Sequence, residues 1–264
     1  MEPTQAAPAA MIDRVASVLA VFEGQRRLTL AQVCRLARLP RSSAHRILQR
    51  LVEFGWVERE GYGYTLGIRM FELGSQVARG SRLHRAASPL LADLHRTTGL
   101  AVHLSALSGA DVVHLEQLAG RGGRGVDWLP GTRTAAVHAA PGRALLVAMD
   151  PAERPPPEVP APPTPFGVRT AAQLEREFAR IRERGGIAVD VQGCAVGVTV
   201  LAAAVGPAEA GTQLAVSVSG PCEAVRVDRV AGTVRTAAME IWCTANGISP
   251  LARRGGRPVG QARL

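Results

Sequence analysis

Leu39-Pro40-Arg41-Ser42-Ser43-Ala44-His45-Arg46-Ile47-Leu48-Gln49-Arg50-Leu51 is the stretch from which the rest of this chain is read. Ala44, Ile47, Leu48 and Leu51 recur at i, i+3, i+4 and i+7, which makes one apolar stripe on a helix from Arg41 to Glu53. Ser42, His45, Arg46 and Gln49 recur at the same spacing on the opposite face, and none of them is acidic. A helix that packs by one face and enters a DNA major groove by the other needs this division. Arg46 suits a bidentate grip on guanine and Gln49 on adenine. Ser42 and Ser43 at the helix start suit phosphates, and Arg41 and Arg50 join them as candidate DNA contacts. A solvated helix face is the alternative, and such faces usually mix acids with bases.

The flanks fit the same picture. Met11–Phe22 carries Ile12, Val15, Ala16, Leu19 and Phe22 at helical spacing. Thr29 can cap a second helix over Leu30–Ala37, and Pro40 suits entry into the third. Beyond Gly55, the runs Trp56–Arg59 and Tyr64–Leu66 surround Glu60-Gly61-Tyr62-Gly63, a hairpin signal. Three helices followed by a hairpin is the order of a winged helix-turn-helix, with Arg59 and Tyr62 on the wing. Arg59 reads equally as a backbone contact or a solvated charge, and Glu58 and Glu60 oppose phosphate.

Charge supports a nucleic-acid-binding head. The chain has 264 residues, enough for two modest domains, and a net charge of +9 carried entirely by arginine. Residues 1–82 hold 12 Arg against 7 acids, residues 83–246 are neutral, and residues 247–264 hold 4 Arg and no acid. The excess lies at the two ends. Only 4% of residues are aromatic, which argues against a stacking platform for single strands.

The remainder reads as a connecting helix over 67–82, an α+β body over 83–246 with a largely antiparallel sheet, and a basic, disordered tail over 247–264. Leu83–Thr98 is a helix ended by Gly99. Ala101–Ala106 and Val112–Leu118 form a hairpin. Gly142–Met149 is a short helix. Pro151–Pro165, with eight prolines, is a loop. Ala171–Arg184 is an amphipathic helix, Ile187–Val191, Val196–Val205 and Gln213–Ser219 are strands, and Cys222–Ala245 is the last helix.

Several chemistries find no support. Gly120-Arg-Gly-Gly-Arg-Gly125 matches the dinucleotide spacing, but Val126-Asp-Trp-Leu-Pro130 cannot open the helix that motif requires. The six histidines lack zinc spacing, and no GxSxG or paired-carboxylate site is present. No cofactor, metal or enzymatic activity is expected. Four scattered cysteines, no secretory start and no bilayer-length apolar run give the expectation of a cytoplasmic protein.

From Leu39 to Gly74, LPRSSAHRILQRLVEFGWVEREGYGYTLGIRMFELG resembles the N-terminal half of the IclR-type transcriptional regulators. TTGLAVHLSALSGADVVHLEQLAG, PGRALLVAM, RERGGIAVDVQGCAVGVTVLAAAV and LAVSVSGP resemble segments of that family's second half. Arg38 stands where the family usually has glycine, Val200 where cysteine is common and Ala204 where proline is common.

The resemblance implies an N-terminal winged helix-turn-helix, a linker helix and a GAF-like effector domain, working as a homodimer or tetramer on palindromic double-stranded operators, as a repressor for instance. It also implies a pocket drawn from Trp128, Leu129, His138, Ala139, Gly142, Arg143, Asp190, Val200, Ser217 and Ser219. Few fixed polar groups on an apolar lining suit a small organic acid or aromatic, and the helix start at Gly142 could hold its carboxylate. Singly, His138 also reads as a loop histidine and Asp190 as a turn or cap residue. A regulator without an effector, and a winged helix used for protein contact, are the alternative functions.

Overall fold

The computed structural model describes residues 10–121, 125–155, 158–207 and 211–248. The centre of the arginine-glycine loop, two residues of the proline-rich stretch and the basic tail beyond 248 lie outside the described residues. The chain divides into two compact units, 1–80 and 81–264.

The first unit contains α1 (Met11–Ala20), β1 (Leu28–Thr29), α2 (Leu30–Leu36), α3 (Arg41–Glu53), β2 (Val57–Glu60), β3 (Gly63–Leu66) and α4 (Ile68–Gly80). The capping signals work as the sequence suggests. Thr29 Oγ1 accepts the Gln32 N–H, while the Gln32 side chain reaches back to the Thr29 N–H at 2.8 Å, closing a capping box. The core joins Val18, Phe22, Leu28, Val33, Ala44, Ile47, Leu48 and Leu51. Burying a leucine such as Leu48 contributes about 1.5–3 kcal/mol.

Two features of this unit were not expected. β1 adds a third strand to the wing, with Leu28 opposite Tyr64. The connecting helix, α4, ends at Gly80, two residues short of the expected bound, and the next helix, α5, begins at Arg82 after Ser81, whose hydroxyl accepts the His84 N–H.

The second unit is the antiparallel α+β body. Its helices are α5 (Arg82–Thr98), α6 (Ala140–Ala148), α7 (Ala171–Glu183) and α8 (Val227–Ala245). Its strands are β4 (Ala101–Ser108), β5 (Asp111–Leu118), β6 (Arg133–Ala135), β7 (Ala188–Val191), β8 (Val198–Ala204) and β9 (Leu214–Pro221). They form one six-stranded sheet in the order β6-β5-β4-β9-β8-β7. One face, with Val102, Leu104, Leu201, Val216 and Val218, packs under α5 and α8. The other, with Val112, Ala188, Val200, Ala202 and Ala215, packs under α6 and α7.

Three boundaries differ from the sequence reading. β6 pairs with β5 in a stretch between Leu118 and Gly142 where no strand was expected. α8 starts at Val227 rather than Cys222, because Ala224 and Val225 N–H groups turn back to Pro221 O. α6 starts at Ala140, so Gly142 and Arg143 sit inside its first turn. Gly142 has a packing reason: a Cβ there would come within 2.3 Å of Ala136 O.

Candidate nucleic-acid interface and ligand site

α3 turns its two faces as its spacing requires. Ala44, Ile47, Leu48 and Leu51 are buried, whereas Arg41, Ser42, Arg46, Gln49 and Arg50 are exposed and Ser43 and His45 are half-buried. Among the described residues, neither Arg41 nor Arg46 holds an ion pair or side-chain hydrogen bond, so both guanidinium groups are available. Arg50 is less so, since it pairs with Glu53 and lies over the Phe54 ring at 5.0 Å. Pro40 is the N-cap and no side chain caps the first turn, which leaves early N–H groups for an anion.

The wing borders this surface. Arg41, Ser42, His45, Arg59, Tyr62 and Tyr64 line one cleft. Arg59 Nε donates to Gly61 O at 3.1 Å and its guanidinium lies 5.8 Å from the Tyr64 ring centre, while Tyr62 is 89% exposed. The wing's acids are engaged elsewhere. Glu58 Oε1 accepts the Ile68 N–H at 3.3 Å at the start of α4, and Arg27 pairs with Glu60 at 3.9 Å. Arg27 offsets part of the Glu60 charge, while Glu58 keeps its own and still opposes a phosphate.

In the second unit the structure brings most of the expected pocket residues to the sheet face under α6. Asp190 lies opposite Val200, and Val200 opposite Ser219; Ser217 lies opposite Ala202. Directly opposed residues project to the same side. Arg143 Nη2 donates to Asp190 Oδ1 at 2.7 Å, and its Nη1 to Val137 O and His138 O at 3.1 and 3.3 Å. Asp190 Oδ2 accepts the Cys194 N–H at 2.8 Å. Asp190 is therefore both the turn residue and an ion-pair partner. The first turn of α6 is buried, and the Arg143 N–H makes the first bond of the helix, to Ala139 O. Burial together with the Asp190 carboxylate raises the Cys194 thiol far above its ordinary range, which keeps it an inert thiol.

The proline-rich segment is tied over this region. His138 Nε2 is 2.9 Å from Pro160 O, and a carbonyl only accepts, so Nε2 carries the proton. Thr164 Oγ1 donates towards Gln192 O and Gly193 O at 2.7 and 3.1 Å. Burial lowers the His138 pKa, opposed by the Pro160 bond, so the ring is neutral at pH 7. Ala139 is buried, while Leu129 is 51% exposed on the loop. A cavity of about 1000 Å³ lies between the strap and α7. It is lined by Asp111, Arg154, Glu158, Glu175 and Arg182 among apolar groups, and His138, Arg143, Asp190, Ser217 and Ser219 are not in its lining.

Sequence reasoning missed His103, Ser105, His114 and Thr134. Ser105 Oγ is 2.9 Å from His114 Nδ1, and His114 Nε2 is 3.2 Å from Thr134 Oγ1. Trp128 stacks on His114, with centroids 4.4 Å apart, and meets His103 edge-on at 5.4 Å. The available signal was the alternation of His103 and Ser105 with Val102 and Leu104. Polar residues at period two in a strand whose other neighbours all read as buried mark a polar inner face. Among the described residues no cluster of side chains could hold a metal ion, and no helix is long and apolar enough to cross a membrane.

Comparison with known proteins gives this arrangement a family. The IclR helix-turn-helix domain matches residues 11–61, and the C-terminal domain of bacterial IclR transcriptional regulators matches residues 75–243. The chain is 30% identical over 105 residues to the HTH-type transcriptional regulator KipR of Bacillus subtilis, across 39% of this chain and 42% of that protein. It is 29% identical over 114 residues to the HTH-type transcriptional regulator KdgR of Escherichia coli, across 40% of this chain and 43% of that one. The matched stretch thus spans under half the length of these curated relatives. Among solved structures, an IclR homologue from Microbacterium hydrocarbonoxydans complexed with 4-hydroxybenzoate superposes with a TM-score of 0.79 at 24% identity, covering 90% of this chain and all of that one. With both domains matched, the second over more than half of this chain, the chain belongs to the IclR family of bacterial transcriptional regulators.

Proposed function

We propose that this protein is a cytoplasmic, non-enzymatic regulator that binds a palindromic double-stranded operator as a homodimer or tetramer, controlled by a small organic acid or aromatic effector in its second unit. The observation that carries the DNA reading is the outer face of α3, where Arg46 and Arg41 are exposed without ion-pair partners among the described residues and no acid shares the strip with Ser42, His45 and Gln49. Arg46 and Gln49 read base edges; Arg41, Ser42, Ser43 and Arg50 hold phosphates, and Arg59 and Tyr62 reach the backbone from the wing. Half-sites are expected about one DNA turn apart, or a multiple of it.

Trp128, Leu129, His138, Ala139, Gly142, Arg143, Asp190, Val200, Ser217 and Ser219 frame the effector region. The polar inner face beneath Trp128 supports this reading, as does the fold shared with a homologue complexed with 4-hydroxybenzoate. The effector acts by differential affinity for two arrangements of the protein, and the operator must change effector affinity in return. Selection from random duplexes with the full chain tests the DNA reading. A palindromic motif with arginine-readable guanines supports it, and enrichment of no sequence overturns it. Titration of the operator complex with benzoate, 4-hydroxybenzoate and pyruvate tests the effector reading; operator affinity unmoved by all three counts against it.

A further inference from the structure

The tip of the wing has no core of its own. Glu58, Arg59, Glu60, Gly61 and Tyr62 are all exposed, and the turn between β2 and β3 passes through Gly61 at φ +58°. A hairpin tip without buried side chains has little to fix its direction. Arg27, just before β1, supplies what is missing. Its side chain lies across Gly63 of β3, so closely that a Cβ on Gly63 would stand 2.1 Å from Arg27 Nε and 2.9 Å from its Cγ and Cδ. Gly63 is not in the left-handed region, so the close approach of Arg27 is what calls for a glycine there. Beyond Gly63 the guanidinium reaches the last residue of β2, where Nη2 donates to Glu60 O and Nη1 stands 3.9 Å from Glu60 Oε2. In a sheet of order β1-β3-β2, this one side chain clasps all three strands.

The register decides which face of the wing carries the clasp. Glu60 is opposed to Gly63, and Arg59 to Tyr64. Opposed residues share a face and successive pairs alternate, so Arg27 lies on one face of the wing and Arg59 with Tyr64 on the other. Arg59, Tyr62 and Tyr64 line the cleft that Arg41, Ser42 and His45 close from α3, and Arg27 is not in that lining. The Arg27 side chain is 53% exposed and stands outside the apolar core of this unit, so what it holds is the wing rather than the fold.

We infer that Arg27 is a positioning residue for DNA binding: it holds the wing so that Arg59 and Tyr62 meet the backbone beside the groove that α3 enters, and it acts only through them. This rests on the reading of the wing as a backbone contact. A tip already clasped in the free protein need not be ordered when DNA binds, so the clasp is read in affinity.

The test is a mutant cycle on the full-length protein, with operator affinity measured across a salt series and stability by urea unfolding. Its members are the wild type, Arg27→Ala, the wing variant Arg59→Ala/Tyr62→Ala, and the combination of all three substitutions. Arg27→Ala is expected to weaken operator binding about fivefold and to lower the salt slope by about 1, with the urea midpoint unmoved. In the wing variant the same substitution is expected to change affinity by less than about twofold, because the groups it positions are gone. Gly63→Ala pushes the Arg27 side chain aside while leaving its charge, and is expected to reproduce the loss. An Arg27→Ala loss of equal size with and without the wing side chains, or a Gly63→Ala variant that binds like the wild type, overturns the inference. So does an Arg27→Ala variant of full affinity when the wing variant is weakened, and in that case the wing reading stands. If the wing variant itself binds as tightly as the wild type, the wing reading fails and this inference with it.

Discussion

Arg143 and Asp190 lie 47 positions apart in sequence, and the fold closes them into an ion pair of 2.7 Å with both side chains withdrawn from solvent. The pair fastens the first turn of α6 to β7 and, through Asp190 Oδ2, fixes the turn that begins at Cys194. Water screens neither charge, so removing one strands the other. Asp190→Asn is expected to cost about 3–5 kcal/mol in urea unfolding of the full chain, whereas the double variant Arg143→Met/Asp190→Leu regains most of that loss. A cost below about 1 kcal/mol for the single variant would show the pair to be energetically idle.

Arg46→Ala is expected to lose about 1–3 kcal/mol at the selected operator and to relax base preference at one position per half-site. Arg41→Ala, at the phosphate-facing helix start, is expected to weaken all duplexes alike and to reduce the salt slope by about 1. Affinities measured across a salt series on operator and random DNA separate the two. Identical behaviour of the variants contradicts the assignment of base and backbone roles.

Arg38 adopts φ +53°, in the left-handed region. An L side chain pays roughly 1–2 kcal/mol there, and glycine's own entropic cost is about half of that. Arg38→Gly is therefore expected to stabilise the protein by about 0.5–1 kcal/mol, read as a higher denaturant midpoint. A lower midpoint would show that what Arg38 touches outweighs its backbone strain.

Gly142→Ala is expected to destabilise by about 3 kcal/mol. The added Cβ would stand 2.3 Å from Ala136 O, and backbone cannot swing aside as a side-chain tip can. Thermal unfolding decides this, and an unchanged midpoint would mean that α6 can slide without penalty.

Acid should weaken the fold through His103 and His114. Their folded pKa values are lowered from 6.5 to about 4, so between those values the unfolded chain holds protons that the native protein refuses. The resulting stability is fully present above pH 6.5 and is lost as pH falls towards 4. One such imidazole is worth about 3 kcal/mol, and two neighbours contribute less than twice that. His103→Gln should move the acid-unfolding midpoint to lower pH. An unmoved midpoint assigns acid sensitivity to other groups.

The winged helix was readable because its determinants are local. The stripe of Ala44, Ile47, Leu48 and Leu51 and the polar strip beside it repeat at 3.6 residues within a single turn-by-turn pattern. Thr29 and Gln32, three apart, announce their own cap. A two-residue strand such as β1 has no period to detect, and it exists only because Tyr64 supplies its partner.

The sequence by itself determined the helices and the longer strands, which face of α3 is apolar, and where the arginine excess lies, since each follows from spacing or composition along one chain. Only the tertiary structure decided that His103 stands beside Ser217, that Trp128 stacks on His114, and that Arg143 is spent on Asp190. Those pairings depend on strand register and on packing between distant segments, and no periodicity within either segment encodes the partner it will meet.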